Sequence, residues 1–159
     1  MDGFGYVALV AATITSGLLA GVFWFYAHTA MPALRRVDDE TFVTTFALLD
    51  RAIVNPWFML TGFLGAPLLT ALAALLSLGE GPLWWIVAAL VLHVVMVVET
   101  ARVHLPRNDA LKAADEQSGR DAAAARAAFD EGRWVRWNLL RVVTSTVAVG
   151  LLAGALLAA

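Results

Sequence analysis

The chain has no cysteine, which removes disulfides, thiolate zinc or iron–sulfur sites and a cysteine nucleophile together. Charge is scarce as well. Asp, Glu, Lys and Arg make up 15% of the 159 residues, against about 25% in a soluble domain. A net charge of -2 leaves no basic surface for nucleic acid. Zinc-protease, phosphate-loop and dinucleotide signatures are missing, as is a Gly-x-Ser-x-Gly turn. No internal repeat is evident. What abounds is apolar side chain, 60% of the total, with a mean hydropathy of +0.74. A soluble domain of this length could not hide so much, so the excess must face lipid.

Hydropathy marks four runs near the ~20 residues that cross the hydrocarbon layer. They fall at about Phe4–Ala27, Trp57–Leu78, Leu83–Ala101 and Trp134–Leu157, within a single membrane domain, residues 1–159. The first has no basic residue before it and is too long for an apolar signal core, so it is read as a retained span. Pro67 lies inside the second and should kink it. The expected fold class is all-α: a transmembrane four-helix bundle with a short amphipathic helix after span one and a helical loop before span four.

Every Lys and Arg lies in the two long loops or in the helix turns next to them. The N-terminal tip, the Gly79–Pro82 turn and the C-terminus carry none. The positive-inside rule then places both loops in the cytoplasm and both termini outside a multi-pass protein of the cell membrane. Cysteines introduced at Gly81 and Ser118 should therefore label from opposite sides of intact cells; labelling of Ser118→Cys from outside would overturn the topology.

The loops carry helical patterns of their own. Asp38 is placed to cap a helix whose Phe42, Phe46, Leu49 and Ile53 recur at i, i+4, i+7 and i+11. That stripe should lie on the membrane surface or close the loop end of the bundle. After a Gln117–Gly119 turn, an Ala-rich run from Asp121 stays in register with span four and should continue into it. Gly17–Gly21 and Gly150–Gly154 recur at close-packing spacing, expected first to serve packing within the bundle and otherwise a homo-oligomer.

Polar residues inside lipid are functional suspects. Trp134, Asn138, Arg141 and Ser145 share one face of span four, with Trp137 at its edge. Arg141 either snorkels to water or faces the interior, where Glu99 is its first expected partner and Asn138 its second. His93, Thr100 and His104 share a face of span three, with Glu99 about a third of a turn away. Trp24 and His28 end a similar stripe on span one. His93 and His104 are some 16 Å apart along a helix, so the three histidines cannot bind one metal. A two-histidine site of His28 and His104 with loop carboxylates is the remaining alternative to metal-free, hydrogen-bonded histidines.

Short motifs punctuate the helix ends. Met31-Pro32 follows span one and Asn55-Pro56-Trp57-Phe58 opens span two. His104-Leu105-Pro106-Arg107-Asn108 follows span three, and Trp134-Val135-Arg136-Trp137-Asn138-Leu139-Leu140-Arg141 opens span four. In this order the chain resembles the anthrone oxygenase-like family of small four-span membrane proteins, and the resemblance runs nearly its whole length. It departs in two places: His104 stands where the family pattern has Asn, and Arg107 where it has Leu.

The resemblance implies oxidation of an anthrone to an anthraquinone by dioxygen, with dioxygen as co-substrate and no resident cofactor, a metal or haem being left open. An anthrolate, once formed, reacts with dioxygen without a metal. His104 would serve as the base, and Asn108, Asn138 and Arg141 as donors to the developing oxyanion. Asn55, Trp134, Trp137 and His28 would line a mouth for a small aromatic or lipophilic ligand. Asn55 and Asn108 also have a purely structural account as helix N-caps. The competing function is a non-catalytic membrane protein that binds a lipophilic ligand or a partner protein. A transporter subunit ranks last, because one four-helix unit without an inverted repeat is small for alternating access.

Overall fold

The computed structural model describes residues 1–159, all helix and turn. Four helical stretches, Gly3–Leu34, Pro56–Leu76, Leu83–Asp115 and Ala122–Leu157, are long and apolar enough to cross a membrane. Their elements are α1 (Gly3–Phe25), α2 (Met31–Leu34), α3 (Asp39–Ile53), α4 (Pro56–Phe58), α5 (Gly65–Leu76), α6 (Leu83–Glu99), α7 (Leu105–Asp115), α8 (Ala122–Phe129) and α9 (Glu131–Leu157). Helix α1 packs on α5 and α9, and α6 on the same two, so the spans close a ring. Only about a third of each span is buried. Leu18, Leu60, Leu68, Val91 and Val143 point outward, as lipid-facing residues do.

Three wide π-turns interrupt the spans, at Tyr26–Ala30, Met59–Phe63 and Thr100–His104. Each lies just before a proline: Pro32, Pro67 and Pro106. A proline lacks its N–H and its ring clashes with the carbonyl four residues back. Those carbonyls belong to His28, Phe63 and Arg102, one inside each wide turn, and the looser register makes room for the ring. The kink expected at Pro67 thus takes the form of a π-turn followed by a break at Leu64. Gly65 is required there, since a Cβ would run into the Leu60 carbonyl oxygen.

At the end holding the chain termini, the core is alanine-rich and tight, with Ala8, Ala12, Ala73, Ala89, Ala148 and Ala155 around Leu9, Ile86 and Leu152. Below it His93, fully buried, joins Ser16 (3.2 Å) and Thr70 (3.3 Å) across three spans. The glycine pairs play little part in this packing. Gly17, Gly21 and Gly150 have open space where a Cβ would project, and only Gly154 touches a neighbour, the ring of Trp85. The expectation of internal packing therefore holds for one glycine of four. The others look outward.

The loop end is roofed by α3, α7 and α8, which pack on one another. Asp38 caps α3 as expected; the Thr41 amide and hydroxyl donate to it and hold its carboxyl below the usual range. Phe42 and Phe46 turn into the core with Phe129 and Trp134. Ion pairs tie the roof together: Arg51 to Asp115 (2.7 Å), Arg126 to Asp39 (3.0 Å) and Arg120 to Glu40. The Ala-rich run does not continue into span four. Asp130 adopts a left-handed conformation (φ 52°), ends α8, and caps α9 by accepting from the Arg133 amide. Aspartate is among the few non-glycine residues that tolerate this backbone.

Candidate functional site

The three wide turns converge on one cavity. Tyr26, Met59, Phe63, Thr100 and His104 come from them, and all line a space of about 160 Å³ beneath the roof. Val22, Phe23, Phe46, Ile53, Val54, Phe58 and Leu105 complete the apolar wall, and Asp50, Asn108, Trp134 and Arg141 supply the polar groups. The prolines that widen the helices thus shape the site.

A hydrogen-bonded chain fixes one side of it. The Trp134 indole donates to Asn108 Oδ1 (2.9 Å), Asn108 Nδ2 donates to Asp50 Oδ1 (2.7 Å), and Lys112 Nζ lies 2.8 Å from Asp50 Oδ2. Trp134 also meets His104 edge-on at 5.0 Å between ring centres. On the other side Arg141, only 6% exposed, donates to Asn138 Oδ1 (2.8 Å), while Asn138 Nδ2 donates to the Phe23 carbonyl (3.1 Å). The guanidinium lies 4.5 Å over the Phe23 ring and 5.4 Å from that of Trp134, two cation–π contacts that offset part of its burial. Arg141 faces inward rather than snorkelling. Its partner is Asn138, the second of the two expected, and it forms no ion pair with Glu99.

Several buried polar atoms have no protein partner: both oxygens of Glu99, both ring nitrogens of His104, Nε of Arg141 and Oγ of Ser145. Orphans of this kind are uncommon in a settled core and mark places where a ligand or solvent completes the bonding. Glu99 Oε1 lies 3.8 Å from His104 Nδ1. No three His, Asp or Glu side chains come together as metal ligands do.

The sequence-predicted residues divide. His104, Asn108, Trp134 and Arg141 line the cavity, with Asn138 directly behind Arg141. The amides of Asn108 and Asn138 already hold Asp50, Trp134, Arg141 and Phe23, so they brace the cavity wall, whereas Arg141 keeps an unpartnered Nε. Asn55 caps α4, accepting from the Phe58 amide at 2.9 Å. His28 is exposed and lies against Trp24 at 4.2 Å, and Trp137 is 37% exposed on the outer face. Neither reaches the cavity, so His28 and His104 do not meet. Asp50 and Tyr26 join the cavity from outside the residues the sequence marks, and Glu99, expected beside Arg141, lies nearest His104 instead. Asp50 carried a signal: it follows Phe42 and Phe46 at the same four-residue step, an acid on an apolar face.

The family model for anthrone oxygenase matches residues 56–151, more than half of the chain. The chain belongs to the anthrone oxygenase family. The matched region of this anthrone oxygenase family member begins at span two, so it holds the His104–Arg107 and Trp134–Arg141 motifs but not Met31-Pro32. Phe23, Tyr26 and Asp50 of the cavity wall also lie outside it. No curated protein and no solved structure gives a significant match.

Proposed function

We propose that the protein oxidises an anthrone-like phenolic aromatic with dioxygen in this cavity, which we place at the cytoplasmic end of the bundle. The observation that carries the reading is the pairing of a histidine free at both ring nitrogens with a buried guanidinium, in a cavity otherwise walled by aromatic and aliphatic side chains. A space of about 160 Å³ matches the ~150 Å³ that encloses a benzene ring. One ring of a fused system is thus enclosed, with the remainder passing outward beside Val54, Met59 and Leu105.

His104 takes a proton from the methylene carbon, and the Arg141 guanidinium stabilises the oxyanion of the resulting anthrolate. Dioxygen adds at the carbanion carbon and, on protonation, gives a hydroperoxide. Loss of water leaves the second carbonyl. Anthrone and dioxygen thus become anthraquinone and water, with no outside reductant. Oxygen uptake and quinone absorbance, read in detergent beside a protein-free control, test the proposal. His104→Leu, which removes the base without restoring the family's Asn, should lower the enzymatic rate on the order of 10²-fold or more. A wild-type rate equal to the control across several anthrones would leave a ligand-binding protein as the better reading.

A further inference from the structure

Glu99 is a buried carboxylate, 5% exposed, with both oxygens unpartnered and no part in the reaction as written so far. At 3.6 residues per turn, residues five apart point about 140° from one another, which sets Glu99 off the face of His104. The structure departs from that spacing. The turn from Thr100 to His104 is a π-turn, in which the Leu105 amide donates five residues back to the Thr100 carbonyl. Widening brings positions five apart onto one side of the helix. Glu99 Oε1 consequently lies 3.8 Å from Nδ1 of His104. The opposite edge of the imidazole has no hydrogen-bond partner, and the ring lines the cavity.

We propose that Glu99 is a positioning residue that holds His104 as its Nδ1–H tautomer, leaving the Nε2 lone pair to face the substrate. The catalytic half of this proposal rests on the oxidation reading above. A carboxylate on one ring nitrogen sets which nitrogen carries the proton, and it stabilises the imidazolium formed when the other accepts one. The 3.8 Å separation shortens to a hydrogen bond as the base takes up charge, as catalytic contacts commonly do on ligand binding. Arg141 from span four, Asp50 from α3 and Tyr26 from span one share the cavity with His104, and Arg107 lies on its own helix. None of them is hydrogen-bonded to the ring; the Trp134 backbone is the other polar group that approaches it. Glu99 is the carboxylate within ion-pair distance of it.

The test uses the protein in liposomes with ¹⁵N-labelled histidine. The chain has three histidines, and His93, held by Ser16 and Thr70, is an internal reference. Wild-type His104 should carry its neutral-state proton on Nδ1. Glu99→Leu, of similar size and better suited to an apolar interior, should move that proton to Nε2, the form free imidazole prefers. It should also lower kcat on the order of 10²-fold with KM held within about twofold. Glu99→Gln keeps an acceptor and should keep the tautomer while still lowering kcat. An unchanged tautomer in Glu99→Leu overturns the proposal, as does full kcat in Glu99→Gln. If wild-type protein oxidises no anthrone, the tautomer still decides the role of Glu99, so the two readings fail separately.

Discussion

Arg141→Met is expected to lower the rate of anthrone oxidation by about 10²–10³-fold, the scale of one lost oxyanion contact, while the protein stays folded. The two effects separate because a buried cation is costly to hold. Its pairing and stacking repay desolvation only in part, so an apolar side chain of similar reach is tolerated in its place. Asn138 keeps its bond to the Phe23 carbonyl in the variant, so the helix contact survives; its Oδ1 loses its donor, at a cost of about 1–3 kcal/mol. Arg141→Lys should rescue little, because an ammonium lacks the delocalised plane and forked donors of the guanidinium that sits over Phe23 and Trp134. Quinone absorbance and a thermal melt in detergent read the two quantities side by side. A large drop in melting temperature matching the loss of rate would make Arg141 a structural residue.

The largest effect on stability should come from Trp134. Its indole touches Tyr26, Phe46, His104 and Phe129 and donates to Asn108. Trp134→Ala removes that packing and leaves a cavity at the junction of roof and bundle, costing about 3–5 kcal/mol. Trp134→Phe keeps most of the contact and loses the donor. It should cost about 1–3 kcal/mol, because Asn108 Oδ1 is then buried unpaired. Thermal or denaturant unfolding in detergent measures both. Equal losses in the two variants would assign the stability to the hydrogen bond rather than the packing.

Much of this architecture is legible in the residues. Twenty-residue apolar runs mark the spans, and Asp38 and Asn55 announce the caps they make. The Trp134–Arg141 spacing places Asn138 and Arg141 on one inward face because α9 is regular there. Misplacement begins where regularity ends. A wheel drawn at a constant 3.6 residues per turn carries Glu99 away from His104, and the π-turn restores it. The cause is in plain view as Pro106, whose missing N–H and ring disturb the regular ladder at the turn that widens before it. His28 fails for the opposite reason: it shares a stripe with residues of span one, but that stripe faces out. Gly17 and Gly21 do the same. Periodicity reports which residues share a face and not which way the face looks. Asp130 shows a third limit, since helical register across a junction does not reveal a single left-handed residue.

The ion-paired roof of α3, α7 and α8 bears on how the protein would meet its reactants. It stands between the cavity and the charged-loop side, while Val54, Met59 and Leu105 at the cavity wall are apolar and partly exposed. A compound that reaches the cavity past those side chains has first dissolved in the bilayer. The concentration that governs the rate is then its mole fraction in lipid, and added vesicles dilute it even when the total amount in the tube is unchanged. Dioxygen, itself more soluble in hydrocarbon than in water, would arrive by the same medium. Saturation curves for such a reaction would acquire meaning only when plotted per lipid.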